Sequence, residues 1–539
     1  MPDMKKIFVL MALVAGIVGS VSAQPSEATY NYLDKTYTLA EDGSLELRVR
    51  SSLTYNTQSS FFSMFGETFI EYNPEYQTLT INESYTRQAD GSITKSPTNA
   101  FNEVLPRSAA NAPAYNHLRE MVVTHVGMER GATAYLDYTI RTSAEMLGGE
   151  LDFTEVVPKY ACDIRKSTIT VVLPKGKTLR AAVVEAGGKV RTQEIKGRYT
   201  WTFNNVKPFF REQYAPAEVG KTRIYATTLP STDAVVGSLY YGTRDILRMP
   251  AERMAGKESF DDKVNAIGDY VGEMVAEIPI APALTGYRHA QERSVDERCY
   301  GSALDKAFLL HKLLLCEGVE SDIELMYPAD CPLYNLSGYV AVVVKAMNGD
   351  QQCWLNHNGA RYTPATKADR YTLLSIIMGK TEEVEHTADC AENNIAITLN
   401  DTKATIVTNG GASREAYVAS RDGATGVRKI TIPYNDPTTR ISTLNTSRNE
   451  PFELYNTINR SEVFTVTLDE GAFLTAPRSV KVRNALGEAS WSVAIDGKVA
   501  TITRTLKVNR SVVSASEWGA LRELLIVRQN PASLSLLAR

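Results

Sequence analysis

An excess of basic charge is missing from these 539 residues. Lysine and arginine number 58 against 62 aspartates and glutamates, for a formal net charge of −4. A basic face for nucleic acid therefore has no support. No Cys-x-x-Cys pair occurs and the six histidines are scattered, so the ligand spacing of a zinc site is absent and no cofactor is expected. Beyond one apolar run near the N-terminus, no stretch is long and apolar enough to span a bilayer. No internal repeat or low-complexity linker stands out, which argues against a solenoid or a tethered array.

What is present describes ordinary globular protein, with 43% hydrophobic and 22% charged residues. The length is too great for one core, and at about 150 residues per domain three domains are the natural expectation. Lys5 and Lys6 precede an apolar run, Ile7 to Val18, and Val21 and Ala23 then match the small residues before a signal-peptidase cut. Residues 1–23 therefore read as a signal peptide, and the remainder as exported. No cysteine follows the run to carry a lipid. The six cysteines, Cys162, Cys299, Cys316, Cys331, Cys353 and Cys390, then meet a compartment that permits disulfides. Five of them fall between 299 and 390, and one or two bridges are expected there, involving Cys331, Cys353 or Cys390, with connectivity left open. Cys316, inside an apolar helix, reads as a buried thiol.

Residues 24–235 are rich in strand signals. Leu45 to Arg50 alternates strictly after the turn Glu41-Asp42-Gly43-Ser44, and Phe69–Tyr72, Gln77–Ile81, Met121–Val126, Ala134–Ile140, Ser167–Leu173 and Tyr199–Phe203 repeat the pattern. Asn99 to Pro113 reads as a surface loop. Residues 236–385 are mixed: Phe260, Val264, Ile267, Val271 and Met274 share one helical face, and Asp369 to Met378 suggests a short closing helix. Residues 386–539 return to strands and suggest a second sandwich. There Ser514-Ala515-Ser516-Glu517 opens a helix through Trp518, Leu521 and Leu525, and the last residues are placed to dock as a strand.

The middle region is organised around Arg298-Cys299-Tyr300-Gly301-Ser302-Ala303-Leu304-Asp305-Lys306-Ala307-Phe308-Leu309-Leu310. Ser302 is placed to cap a helix whose apolar face is Ala303, Ala307, Leu310 and Leu314, and Gly318 to end it. This stretch resembles the nucleophile helix of transglutaminase-like proteins, whose common bacterial form reads Gly-Asp-Cys-Lys-Asp-Lys-Ala-x-Leu-Leu. Gly301, Asp305, Lys306, Ala307, Leu309, Leu310, Gly318 and Val319 stand in register with it. The resemblance implies an α+β, papain-like core between two β domains: a β-sandwich domain of unknown function before it and a C-terminal β domain after it. In the bacterial setting it implies, the chain would be periplasmic or secreted.

The same register puts Ala303 at the family's catalytic Cys, Tyr339 at its His, and Asn356 at its Asp. A Cys-His-Asp site needs a thiolate, a proton-moving imidazole and a carboxylate to hold the ring. Alanine offers no nucleophile, and a phenol of pKa about 10 is no base near neutrality. The favoured expectation is an exported, catalytically inactive protein acting as a binding or scaffold module for an envelope peptide, glycan or protein, without nucleic acid. A purely structural component is a third possibility. The competing class is an active thiol protease or amidase using Cys299, one helical turn before Ala303, with His289, His311 or His357 as partner. Asp305 and Lys306 read either as site-orienting residues or as a solvated first turn. Tyr339 and Trp354 read either as cleft walls or as core aromatics.

Overall fold

A computed structural model describes residues 26–157, 162–186, 189–208, 212–216, 221–239, 246–362, 371–377, 379–382, 389–434, 436–454 and 457–539. The signal-peptide expectation for 1–23 lies outside them. Among the described residues no helix is long and apolar enough to cross a membrane.

The N-terminal region is built on an eight-stranded sheet. Its strand order is Arg191–Ile195, Arg198–Val206, Asp163–Val172, Ala28–Leu39, Leu45–Tyr55, Thr133–Thr142, Gln77–Arg87 and Ile93–Lys95. Alternation puts Tyr37, Leu39, Ile169, Val171, Trp201 and Phe203 on one face. There they meet Phe153, Ile224 and Ala226 of a three-stranded sheet. A second three-stranded sheet supplies Ile70 and Val123 against Leu136 and Ile140. The result is sandwich-like, as the strand signals implied. Residues 99–113 depart from the surface-loop expectation. Ala109 and Ala112, with Tyr115 and Leu118 beyond them, are buried against Ile278, Ile280 and Leu284 of the central region. Small and apolar side chains in that stretch are what allow it to pack.

The central region is α+β. Its sheet is antiparallel throughout, in the order Arg361–Tyr362, Gln351–Asn356, Ala341–Asn348, Glu320–Pro328, Tyr371–Ser375, Thr381–Glu382. The helices Phe260–Met274 and Ala303–Cys316 cover one face. Val264, Ile267, Val271, Ala307, Leu310 and Leu314 there pack on Ile323, Leu325, Val344 and Leu355. Met274, at its helix end, is exposed instead. Of the closing helix expected at 369–378, the described part is a strand, Tyr371–Ser375. The strand state wins because it pairs with Glu324–Pro328 and sends Leu373 and Leu374 to opposite faces of the sheet, both buried.

The C-terminal region is a seven-stranded sheet, Ser413–Tyr417, Lys403–Thr408, Asp389–Asn400, Ile458–Leu468, Val499–Val508, Gly487–Asp496 and Arg478–Asn484 in order. Its second layer combines the helix Trp518–Gln529 with a three-stranded sheet, so it is sandwich-like rather than two full sheets. Ser514 and Glu517 form the expected capping box, and Ser535–Ala538 docks antiparallel to Arg428–Thr431. The five described thiols, Cys162, Cys299, Cys316, Cys331 and Cys353, are all free, against the expectation of bridges. Cys331 instead donates to the Leu333 carbonyl at 3.1 Å. The side chain of Cys390 lies outside the described residues.

Candidate functional site

Ser302 starts the buried helix as the sequence implies. Its hydroxyl accepts from the Asp305 amide at 3.2 Å, and the Asp305 carboxylate accepts from the Ser302 amide at 2.9 Å, closing a capping box. Gly301 is required there, because a Cβ would stand 2.8 Å from that of Asp305. The short parallel pairing of Ala276–Glu277 with Tyr300–Gly301 lays the following segment, 277–283, beside the helix start. From behind, that segment is braced by Tyr115 and Leu118 of the N-terminal region. The opposite wall is the approach to strand Ala341–Asn348. Together these walls enclose a pocket of about 410 Å³ lined by Ala303, Leu304, Tyr339 and Val342, with Ile278 and Ile280 across from them and Tyr287, Leu336 and Ser337 between.

Two of the three positions in the triad register therefore share this pocket. Ala303 presents a methyl group at the helix N-terminus. Tyr339 precedes its strand by two residues, and its buried hydroxyl has no hydrogen-bond partner among the described residues. Burial raises the pKa of that phenol further, away from any role as a base. Asn356 is not among the lining residues. Its side-chain oxygen accepts from the Asn358 and Ala360 amides, both at 3.0 Å, and so closes the turn after its strand. That turn seats directly on helix Phe260–Met274, because a Cβ on Gly268 or Gly359 would collide with the other's carbonyl oxygen. The seating brings His357 to the rim, where it bonds Glu277 at 3.0 Å. Burial would raise the Glu277 carboxyl, but bonds from Asn358 and His357 hold it below its ordinary value.

Asp305 is not solvated. It is 2% exposed, and besides the capping bond it accepts from the Ala290 amide at 2.6 Å and the Tyr115 hydroxyl at 2.6 Å. Arg298 approaches it at 3.3 Å while lying over the rings of Tyr115 and Tyr300. The motif's aspartate thus ties the N-terminal sandwich to the helix start. Lys306, 1% exposed, sends its ammonium to the Val275 carbonyl, and burial lowers its pKa. It holds the loop rather than lining the cleft. Trp354 also leaves the cleft. Its neighbour Leu355 faces the helices, so the pleat turns Trp354 to the other side of the sheet. There its indole donates to Glu324 at 2.8 Å.

Cys299 stands apart from the pocket lining. It ends the helix Glu292–Arg298 in a left-handed conformation, φ 58°, and its exposed thiol points to the Asp296 carbonyl at 3.4 Å. The three histidines weighed with it are engaged elsewhere. His289 stacks on Phe308 and bonds the Ala290 carbonyl, His311 bonds Ser321 at 2.9 Å, and His357 bonds Glu277. The sequence reading missed Tyr115, Asp152 and the segment 335–337. Asp152, in the sandwich, accepts from the Leu336 and Ser337 amides at 3.1 and 3.0 Å and from the Ser337 hydroxyl at 2.7 Å. Burial raises its carboxyl to about 6 despite these bonds. Among the described residues no group of three or more histidine, cysteine, aspartate or glutamate side chains could hold a metal ion.

Residues 41–210 match DUF3857 and residues 428–536 match DUF3858, each a domain of unknown function with a solved structure. Both matches support a place beside transglutaminase-like proteins for the flanking regions. A crystal structure from Parabacteroides distasonis ATCC 8503, described as a "putative protease", is 28% identical. The match covers 96% of this chain and all of that one, with a TM-score of 0.77. The architecture is therefore shared over nearly all of the chain. An M1 zinc metallopeptidase from Deinococcus radiodurans is also matched, at 11% identity over 46% of this chain and 54% of its own, but its TM-score of 0.19 carries no argument. No curated protein matches the chain.

Proposed function

We propose that this is an exported transglutaminase-like protein that has lost its catalyst and acts as a binding or scaffold module in the cell envelope. The domains it implies are 24–235, 236–385 and 386–539. One observation carries the reading: the capped helix start faces a pocket of about 410 Å³, and the side chain it offers there is the Ala303 methyl. A pocket of this size falls within the range that encloses a small ligand. The braces around it, Asp305 to Tyr115 and Asp152 to Ser337, hold its walls in place without supplying a nucleophile. Export rests on the N-terminal sequence, Lys5 to Ala23.

The similar protein described as a "putative protease" sets the test against hydrolysis. The purified chain is expected to leave peptide amides intact, and its Cys299 to react with iodoacetamide at the rate of an ordinary surface thiol. Turnover that disappears in Cys299→Ser would overturn the reading in favour of a thiol enzyme. Secretion into the periplasm or medium of the expressing cell tests the export half separately.

A further inference from the structure

The eight-stranded sheet of the N-terminal region buries only one of its faces. The apolar clusters it joins lie on the side of Leu33, Val49 and Leu136. The opposite face is left to polar and aromatic side chains. Across the adjoining strands Ala28–Leu39, Leu45–Tyr55, Thr133–Thr142 and Gln77–Arg87, one row on that face is Tyr32, Ser52, Tyr135 and Tyr85. The next row is Asp34, Arg50, Asp137 and Glu83. Two bulges enrich it. The one at Tyr30–Tyr32 adds Asn31, whose amide donates to Ser52 and Thr54, and the one at Ile81–Glu83 adds Asn82, which donates to Asp137 and Thr139.

Ser52 is the short member of the first row, and it opens a gap between two rings. Neighbouring strands lie about 4.8 Å apart, so Tyr32 and Tyr135, two strands apart, stand roughly 9–10 Å from each other. Tyr135 stacks on Tyr85 with centroids 4.6 Å apart and planes inclined by 13°. That spacing is one strand step, so the two rings stand upright on the sheet, and the other broad face of Tyr135 looks across Ser52 towards Tyr32. Arg50 lies over the Tyr32 ring at 5.7 Å, and Arg48 grips Asp137 with two bonds, at 3.0 and 2.6 Å. Between them is a depression of about 160 Å³, whose lining includes Tyr32, Arg50, Glu83, Tyr85, Tyr135 and Asp137. It shares no residue with the Ala303 pocket.

Three observations select the occupant. The charges in the lining cancel, Arg48 and Arg50 against Glu83 and Asp137, which favours neither a polyanion nor a polycation. The groups with no hydrogen-bond partner among the described residues offer both functions: Arg50 donates, Glu83 accepts, and the hydroxyls of Tyr32, Tyr85 and Tyr135 do either. The strands beneath are paired on both sides, so no backbone edge is offered to an extended peptide. A sugar ring meets all three conditions. Its hydroxyls give and take hydrogen bonds alike, it carries no charge, and its C–H face is apolar and lies flat against an aromatic face.

We propose that the outer face of this sheet binds an uncharged oligosaccharide. One sugar ring stands in the gap between Tyr32 and Tyr135, with its hydroxyls on Arg50 and Glu83, and the rest of the chain runs over the open face.

The test is a glycan array of uncharged, sulfated and uronic-acid oligosaccharides probed with the labelled full chain, followed by affinity electrophoresis of variants in the polysaccharide best bound. Uncharged oligosaccharides are expected to be retained, and charged ones not to be preferred. Tyr32→Ala is expected to weaken binding about fivefold through the lost ring contact, and Arg50→Ala about tenfold through the lost charged donor. Tyr32 is half-buried and Arg50 exposed, so both variants are expected to melt close to the parent. Tyr417→Ala, which removes an exposed tyrosine of the C-terminal region, is expected to bind as the parent does. No retention of any uncharged oligosaccharide, a preference for charged ones, unchanged affinity in both Tyr32→Ala and Arg50→Ala, or an equal loss in Tyr417→Ala overturns the proposal. Peptide hydrolysis lost in Cys299→Ser would remove the inactive-pocket reading and leave this one standing.

Discussion

Asp305 in the central region and Glu462 in the C-terminal one are hidden equally from water, at 2% and 0% exposure. Their surroundings differ. Glu462 takes both arms of Arg528 at 2.6 and 2.7 Å, and Arg528 also reaches Asp436, to which Arg504 bonds at 3.2 Å. Every member comes from the same domain, and the charges are matched. Asp305 collects mostly neutral donors, two of them backbone amides and one the hydroxyl of Tyr115 from the neighbouring sandwich. One centre fixes a fold from within. The other fixes the position of a helix start relative to a second domain, and so the shape of a pocket.

The sharpest way to break this contrast is at Glu462. Glu462→Leu leaves Arg528 and Arg504 buried with only the Asp436 carboxylate between them, and removing one partner of a buried pair costs about 3–5 kcal/mol. Urea unfolding followed by the fluorescence of Trp491 and Trp518 would register the loss. The double variant Glu462→Leu with Arg528→Met is expected to recover much of it, since apolar replacements of similar volume remove the unpaired charge. A double variant as unstable as the single one would show that the cluster does more than balance charge.

Acid acts with opposite sign on Asp152, beside the pocket, and on Asp436, in the C-terminal cluster. Asp152, which braces segment 335–337, has its pKa raised to about 6, above that of an unfolded aspartate. The folded chain therefore holds this proton more firmly, and the contribution of Asp152 to stability rises as pH falls from about 6 towards 4. Burial lowers His125 and His311 to about 4. The unfolded chain protonates them first, so their contribution is present above about 6.5 and lost as pH falls through 4, up to about 3 kcal/mol each. These two losses outweigh the gain at Asp152, and the summed contribution of the three groups is expected to fall over this window. In Asp152→Asn the fall should steepen, because the opposing term is gone. Burial would raise Asp436, but Arg528 and its hydrogen bonds keep it below its usual value, so the C-terminal cluster weakens only at lower pH. Melting curves at half-unit pH steps distinguish the two windows.

The same contrast shows what the sequence could and could not reveal. The cap at Ser302, the glycine at 301 and the apolar face through Leu314 are local, and short-range spacing encodes them. Ala303 at the helix start was legible for that reason. Trp354 stayed open between cleft wall and core aromatic because its strand does not show which face turns inward, and only packing of Leu355 against the helices decides it. The strand Tyr371–Ser375 was misread as helix because a short apolar run does not distinguish the two until a neighbouring strand claims it. Tyr115 and Asp152 had no local signal at all. Each meets its partner across some 190 residues of chain, and a tyrosine in an alanine- and asparagine-rich loop looks like surface until the second domain is placed against it. The Arg528 cluster, drawn from separate strands and a helix, was hidden in the same way.

The smallest test bears directly on that boundary. Tyr115→Phe keeps the ring that packs on Ile278 and lies under Arg298, and removes only the hydroxyl bonded to Asp305. Asp305 retains Arg298 and its two amides, so the expected cost is about 1.5–3 kcal/mol, that of one hydrogen bond to a charged group. A purely local bond would lower the melting temperature and do nothing else. A bond that positions the helix start against the sandwich should also loosen the 277–283 wall, since that wall is pinned between Tyr115 and the Tyr300–Gly301 strand. Hydrogen exchange then separates the two cases. The Ile278 amide, which donates to the Gly301 carbonyl at 2.8 Å, should exchange faster in Tyr115→Phe. The Leu454 amide, bonded to the Ser511 carbonyl at 2.7 Å in the C-terminal region, should not change. If both amides respond alike, the loss is one of global stability. The contrast between a centre that shapes a pocket and one that only holds a fold would then fail at the residue where it was drawn most finely.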